Sequence, residues 1–268
     1  MYNEYFGFKE APFSIAPDPR YLYMTAQHRD ALAHLVYGLN SEGGCILLTG
    51  EVGTGKTTIC RCLLEQIPEQ ANVALVMNPK LNEIELLETI CDELKIAYPD
   101  ADNSVKTYTD RIYEFLIKSN RDNEKTVLII DEAQNLPVEF FRDFPAFLNF
   151  AFDSRDLMSV WLVGHPSLTV MLDRLPYAAL ASRIQVRVQL DPIVERERFE
   201  ALITHALQAA GCSHSLLSDS GMELLRQASQ GLPRYAGRLL KAAMQLAVPK
   251  GLNHLPDELL QQAMEELR

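Results

Sequence analysis

Eight residues, Gly50-Glu51-Val52-Gly53-Thr54-Gly55-Lys56-Thr57, constrain the fold of this chain more than any other stretch. They follow Cys45-Ile46-Leu47-Leu48-Thr49, a short apolar run that reads as a buried strand. They precede Thr58 to Gln66, which reads as a helix. The octet fits G-x-x-x-x-G-K-[ST], a phosphate-binding loop, and strand, glycine turn and helix are the context that motif needs. Its glycines let the backbone wrap closely and turn N–H groups inward, and the helix N-terminus adds partial positive charge where phosphate sits. On this reading Gly50, Glu51, Val52, Gly53, Thr54, Gly55, Lys56, Thr57 and Thr58 cradle a nucleotide. Lys56 reaches its β- and γ-phosphates, and the Thr57 hydroxyl holds Mg²⁺. With other flanks the octet would be no more than a glycine-rich turn.

Further apolar runs continue the alternation. Val73 to Met77 reads as a second strand, ended by the turn signal Asn78-Pro79. Asn82 can cap the helix that follows it, and Tyr108 to Ile117 reads as another helix. Thr126 to Glu132 is a third strand, Val160 to Gly164 a fourth, and Ile184 to Leu190 alternates with period two as a fifth, half-exposed strand. A helix over Val138 to Phe150 is interrupted by Pro145. Beyond Asp191-Pro192 only helices are expected: Glu195 to Ala210, Asp219 to Gln230, Arg234 to Ala247 and Asp257 to Leu267. Strands alternating with helices imply βαβ units and a mostly parallel sheet. The fold class expected is therefore α/β, a nucleotide domain over residues 1–193 followed by an all-helical lid over 194–268. Residues 1–24, rich in aromatics and proline, are expected to run extended over a domain surface.

Composition bounds the rest. Hydrophobic residues make up 47% of the 268, enough for a sizeable core. A formal net charge of -11 argues against a chain that coats nucleic acid or anionic membrane by bulk charge, although a local basic patch stays open. The five cysteines show no CxxC pair and no zinc spacing, so reduced thiols are expected. The N-terminus has no signal-peptide pattern, and no run reaches about 18 apolar residues. Together these imply a cytoplasmic chain that makes no membrane contact of its own.

Val127-Leu128-Ile129-Ile130-Asp131-Glu132 is the second motif. A phosphate-binding loop needs a carboxylate on an adjacent strand to complete its Mg²⁺ site, and Asp131 is expected to supply it. Glu132, one residue on, is expected to polarise the attacking water as general base. An apolar run ending in two acids is common, but about seventy residues after a P-loop it points to hydrolysis of ATP to ADP and phosphate.

With both motifs in place the chain resembles an AAA+ ATPase, a P-loop NTPase with a five-stranded parallel sheet, flanking helices and a C-terminal helical lid. Within that superfamily three stretches are similar to the ExeA/GspA ATPases of the general secretion pathway: Tyr5 to Arg20, Leu48 to Thr58, and Ile130-Asp131-Glu132-Ala133-Gln134-Asn135-Leu136. The resemblance assigns further roles. His165, in Gly164-His165-Pro166, takes the place of sensor 1, where relatives often carry Gln or Asn; a histidine there would make γ-phosphate sensing pH-dependent, and a turn histidine of no consequence is the plain alternative. Arg183, in Ala181-Ser182-Arg183-Ile184, is placed as an arginine finger supplied in trans within a homo-oligomer, with Arg174 and Arg187 as fallbacks and a surface ion pair as the alternative. Arg234, in Gly231-Leu232-Pro233-Arg234, resembles sensor 2, and Pro17 to Tyr23 is expected to lie beside the adenine.

The resemblance implies a switch driven by Mg-ATP that acts in assembly of a secretion or pilus-type machine. Family members of that kind carry a membrane helix and a periplasmic peptidoglycan-binding part beyond the ATPase domain. A chain ending at Arg268 is then expected to be a truncated piece or a free-standing relative. The alternative is a regulator of the TnsC, TniB and IstB kind, which assembles on duplex DNA and directs a transposase. Lys118, Arg121 and Lys125 are either a solvated face or the lining of a pore. The cluster Phe140, Phe141, Phe144, Phe147, Phe150 and Phe152 reads as core or subunit contact. His28, His34, His205, His214 and His254 show no ligand spacing.

Overall fold

The computed structural model describes residues 2–10, 12, 23–40, 44–67, 71–77, 79–98, 104–142, 157–212 and 214–267. They divide into two compact units. One, the sheet unit, comprises Asp30–Gly50 and Leu63–Gln189; the other, the helical unit, comprises Met1–Arg29, Glu51–Cys62 and Leu190–Arg268.

Five strands form one sheet: β1 (Gly44–Gly50), β2 (Asn72–Met77), β3 (Thr126–Asp131), β4 (Ser159–Gly164) and β5 (Ile184–Leu190), in the order β2-β3-β4-β1-β5. β2 with β3, β3 with β4 and β4 with β1 pair in parallel, giving the parallel α/β sheet that the alternation of apolar runs implies. β1, β3 and β4 are buried at every position, as strands covered on both faces must be, which is why they read as unbroken apolar runs. β5, at the sheet edge, alternates between partly buried and exposed residues until the buried Leu190.

Among the described residues, the helices up to β5 include α1 (Tyr2–Tyr5), α2 (Ala26–Asn40), α3 (Lys56–Leu64), α4 (Glu83–Glu93), α5 (Val105–Arg121), α6 (Ser167–Leu172) and α7 (Ala178–Ala181). α4 starts with a capping box. The Asn82 side chain accepts from the Glu85 N–H at 3.0 Å, and the Glu85 carboxylate accepts from the Asn82 N–H at 2.8 Å. α5 starts at Ser104, whose hydroxyl accepts from the Thr107 N–H. Leu86, Ile90, Ile112 and Leu116 from these two helices pack with Leu128, Ile130, Val160 and Leu162 in the sheet unit's core. Phe141 is buried in that core, while Phe144, Phe147, Phe150, Phe152 and the helix expected up to Phe150 lie outside the described residues from position 143 on.

α8 (Arg196–Ala209), α9 (Asp219–Ser229), α10 (Pro233–Ala247) and α11 (Asp257–Glu266) build the helical unit around a second core that includes Phe199, Ile203, Leu239, Leu240, Leu259 and Leu260. The N-terminal residues belong to it, and one expectation is corrected here. Residues 2–5 are not extended but form a single helical turn, closed by the Phe6 N–H donating to the Tyr2 carbonyl at 3.0 Å. That turn points Phe6 and Phe8 into the second core, and the Lys9 N–H donates to the Ala210 carbonyl at 2.8 Å. Residues 13–22, with most of the segment expected beside the adenine, lie outside the described residues. Among those described, no helix is long and apolar enough to cross a membrane. None of the five cysteines is in a disulfide.

Candidate functional site

β1 ends at Gly50 and the chain turns directly into the glycine loop, which closes where α3 begins at Lys56. Gly53 and Gly55 have φ of 90° and 99°, in the region that side chains with a Cβ avoid. The loop folds around one carbonyl. Glu51 C=O accepts from the Thr54 N–H at 3.2 Å, the Thr54 hydroxyl at 2.9 Å and the Lys56 ammonium at 3.1 Å. Lys56 and Thr54 are buried, whereas Val52 at the loop's tip is exposed.

Two further residues of the helical unit touch the loop. Arg234, the second residue of α10, lies so close that a Cβ built on Gly53 would stand 2.6 Å from its own Cβ. Its side chain is exposed at the start of a helix, where a cation gains nothing from the helix dipole. The joint before it is fixed by Gly231, φ 73°, whose carbonyl accepts from the Ile193 N–H at 2.9 Å; a Cβ there would strike the Ile193 carbonyl oxygen at 2.5 Å. His28, on α2, is buried, and its Nε2 meets the Thr54 carbonyl at 3.2 Å while its Nδ1 meets the Thr25 hydroxyl at 2.7 Å. A carbonyl only accepts, so Nε2 carries the ring proton and Nδ1 accepts from Thr25. Burial holds the imidazole's pKa below its ordinary value, against the smaller upward pull of the Thr54 carbonyl. The sequence offered no signal for this role beyond a histidine in a helix.

The acids stand on the sheet unit. The register sets Ile130 beside Leu162 and Thr49 beside Gly164, so the carboxyl ends of β1, β3 and β4 share one edge. Only β4 separates β3 from β1, which puts Asp131 roughly 10 Å from β1 at two strand spacings. Asp131 is the last residue of β3 and is buried. Glu132 is not part of the strand, a correction to the expected boundary. It turns left-handed at φ 54°, ψ 40°, and its N–H donates to Asp131 Oδ1 at 2.9 Å. That conformation is costly without glycine. Its Oε2 accepts from Gln134 Nε2 at 2.5 Å, and Gln134 Oε1 accepts from the His165 N–H at 3.0 Å. His165 follows β4 directly. Its Nδ1 accepts from the Ser167 N–H at 3.2 Å, so in the neutral ring Nε2 carries the proton and is the side chain's donor.

Arg183 occupies the other end of the sheet. Its carbonyl accepts from the N–H of Cys45, near the start of β1, at 3.3 Å. Five residues of strand separate Cys45 from Gly50, about 16 Å at ~3.3 Å each. Arg174 is exposed, and Arg187 pairs with Asp173 at 2.7 Å. Lys118, Arg121 and Lys125 are exposed around the end of α5. Among the described residues no three His, Cys, Asp or Glu side chains are grouped as a metal cage. The Thr57 hydroxyl and the Asp131 carboxylate are hard oxygen donors of the kind Mg²⁺ takes when most of its shell is phosphate and water.

A family model described as AAA domain matches residues 39–172. General secretion pathway protein A of Aeromonas hydrophila is 39% identical over 251 residues, which cover 94% of this chain and 46% of that protein. The chain thus spans less than half the length of this relative. Among solved structures, Cdc6p from Pyrobaculum aerophilum superposes with a TM-score of 0.74 at 18% identity, covering 95% of this chain and 70% of the other. The ADP form of the Aeropyrum pernix ORC2 protein does so with a TM-score of 0.70 at 17% identity, covering 97% and 73%. At such identities the likeness is one of fold.

Proposed function

Because this chain belongs to the AAA domain family, we propose that it binds Mg-ATP and hydrolyses it to ADP and phosphate, as a switch that serves a general secretion pathway. One observation carries the reading: a single sheet edge gathers the origin of the glycine loop, the pair Asp131-Glu132 and the turn at His165.

The loop N–H groups and the Lys56 ammonium neutralise charge on the β- and γ-phosphates. Thr57 and Asp131 would hold Mg²⁺, which when bound would offset phosphate charge. Glu132 accepts a proton from the attacking water as its oxygen bonds to the γ-phosphorus and the bond to the bridging oxygen breaks. His165 Nε2–H donates to the γ-phosphate, and Arg234, beside Gly53, reports the nucleotide's state to the helical unit. Arg183 serves the site of a second copy, since it sits at the far end of β1 from the loop of its own chain. Turnover then depends on assembly, and the work is done for a partner in secretion, in line with the name of the Aeromonas relative.

Steady-state phosphate release tests the proposal. Glu132→Gln is expected to lower kcat by about a hundredfold or more while ATP still binds. Lys56→Ala is expected to lose ATP binding itself. Wild-type turnover in the Glu132→Gln variant would contradict the assignment.

A further inference from the structure

Gln134 has no role in the reading above, yet it joins two parts of the site that the backbone keeps separate. It sits in the 3₁₀ turn Ala133–Asn135, immediately after Glu132 leaves β3 in its left-handed conformation. Its amide can be oriented in one way only. The His165 N–H is a donor and must face Oε1, so Nε2 faces the Glu132 carboxylate. One side chain thereby ties the acid after β3 to the first residue after β4, through a bond between Gln134 and His165 that spans 31 residues of sequence.

The surroundings are built for this bridge. Gly164, the last residue of β4, is buried with no Cβ where one would overlap Gln134 Oε1 and stand 3.1 Å from Leu168 Cδ2. The Glu132 N–H is engaged by Asp131 Oδ1, which fixes the backbone from which the carboxylate projects. The Glu132 side chain has free torsions beyond that point, and Gln134 donates to its carboxylate. A long acidic side chain held by a charge-assisted bond loses the rotamers in which it would miss the water.

We infer that Gln134 is a positioning residue for hydrolysis: it aims the Glu132 carboxylate and couples that aim to the turn at Gly164-His165. When the turn shifts with the state of the γ-phosphate, Gln134 Oε1 follows the His165 N–H and its Nε2 carries the carboxylate along. The inference rests on the hydrolytic reading of Glu132.

Four variants, with Glu132→Gln as reference, test it by phosphate release and by affinity for a fluorescent ATP analogue. Gln134→Ala is expected to lower kcat by about tenfold or more, with ATP affinity changed by less than about twofold. Gln134→Glu keeps an oxygen for the His165 N–H but sets a carboxylate against Glu132, so it is expected to lose at least as much. Gly164→Ala keeps every polar group and evicts the Gln134 oxygen, so it is expected to lower kcat like Gln134→Ala. In the Gln134→Ala background, Gly164→Ala should add little, because the bridge is already gone. Wild-type kcat in Gln134→Ala or Gln134→Glu, alongside a silent Glu132→Gln, would overturn the coupling and leave the hydrolytic reading standing. Equal losses of kcat and ATP affinity in Gln134→Ala would mark a folding role and overturn it too. Wild-type turnover in Glu132→Gln would remove the hydrolytic reading, and this inference with it.

Discussion

The imidazole of His28 sits between two threonines, one of them in the glycine loop, and both ring nitrogens are engaged only when the ring is neutral with its proton on Nε2. Its folded pKa lies below the ordinary 6.5, so the unfolded chain binds the proton first. The stability tied to His28 is complete above about pH 6.5 and is lost as the pH falls toward the folded value. Urea unfolding from pH 8 to pH 5 should show this loss, and His28→Gln should flatten it; an unchanged slope would contradict the assignment. Gly53 is the other constrained residue of the loop. Gly53→Ala must carry a Cβ at φ 90° against Arg234, so it should destabilise the fold by about 1–3 kcal/mol in urea unfolding. The octet was legible at this scale because its meaning is local: glycines, lysine and threonine at fixed offsets. His28 and Gln134 were not, because their partners lie 26 and 31 residues away, and only the folded chain brings those together, through the β3–β4 pairing in the case of Gln134. Nor does a sequence show that Glu132 turns left-handed at the end of its strand.

At the scale of elements, strands and helices followed the apolar pattern closely because each buries a face that the pattern marks. The N-cap of α4 was readable from Asn82, and Asn82→Ala should cost about 1 kcal/mol, measurable as a shift in the urea midpoint. In α9, hydrogen bonds from Arg226 and then Gln227 hold the Glu223 carboxyl down at about 2, below its ordinary 4.5. Arg226 in turn donates to the Val194 carbonyl at 2.6 Å. A lowered carboxyl stabilises above pH 4.5 and loses its contribution as the pH falls toward 2. Glu223→Gln should therefore remove part of the acid sensitivity of unfolding in that window. The first residues misled for a physical reason. Prolines and aromatics over positions 1–20 suggest extended chain, but one helical turn over Tyr2–Tyr5 is what aims Phe6 and Phe8 into the core of α8 to α11. A four-residue helix is too short to leave a periodicity.

For the whole molecule there are two cores, one drawn from the alternating strands and helices and one from the C-terminal helices together with Phe6 and Phe8 of the N-terminus. Two strand pairings, β1 with β4 and β3 with β4, bring the carboxyl ends of β1, β3 and β4 together, while Arg183 is left at the start of β1. On the proposed function that separation requires a second copy: the loop and acids of one chain and the arginine of its neighbour make one reaction centre. Phosphate release from a mixture of Arg183→Ala and Glu132→Gln chains tests this most directly. Each variant alone should be nearly silent, and the mixture should regain a measurable fraction of wild-type turnover, because an Arg183→Ala site with its acid intact receives an arginine from a Glu132→Gln neighbour. A mixture as silent as its parts, or wild-type turnover by Arg183→Ala alone, would contradict the account.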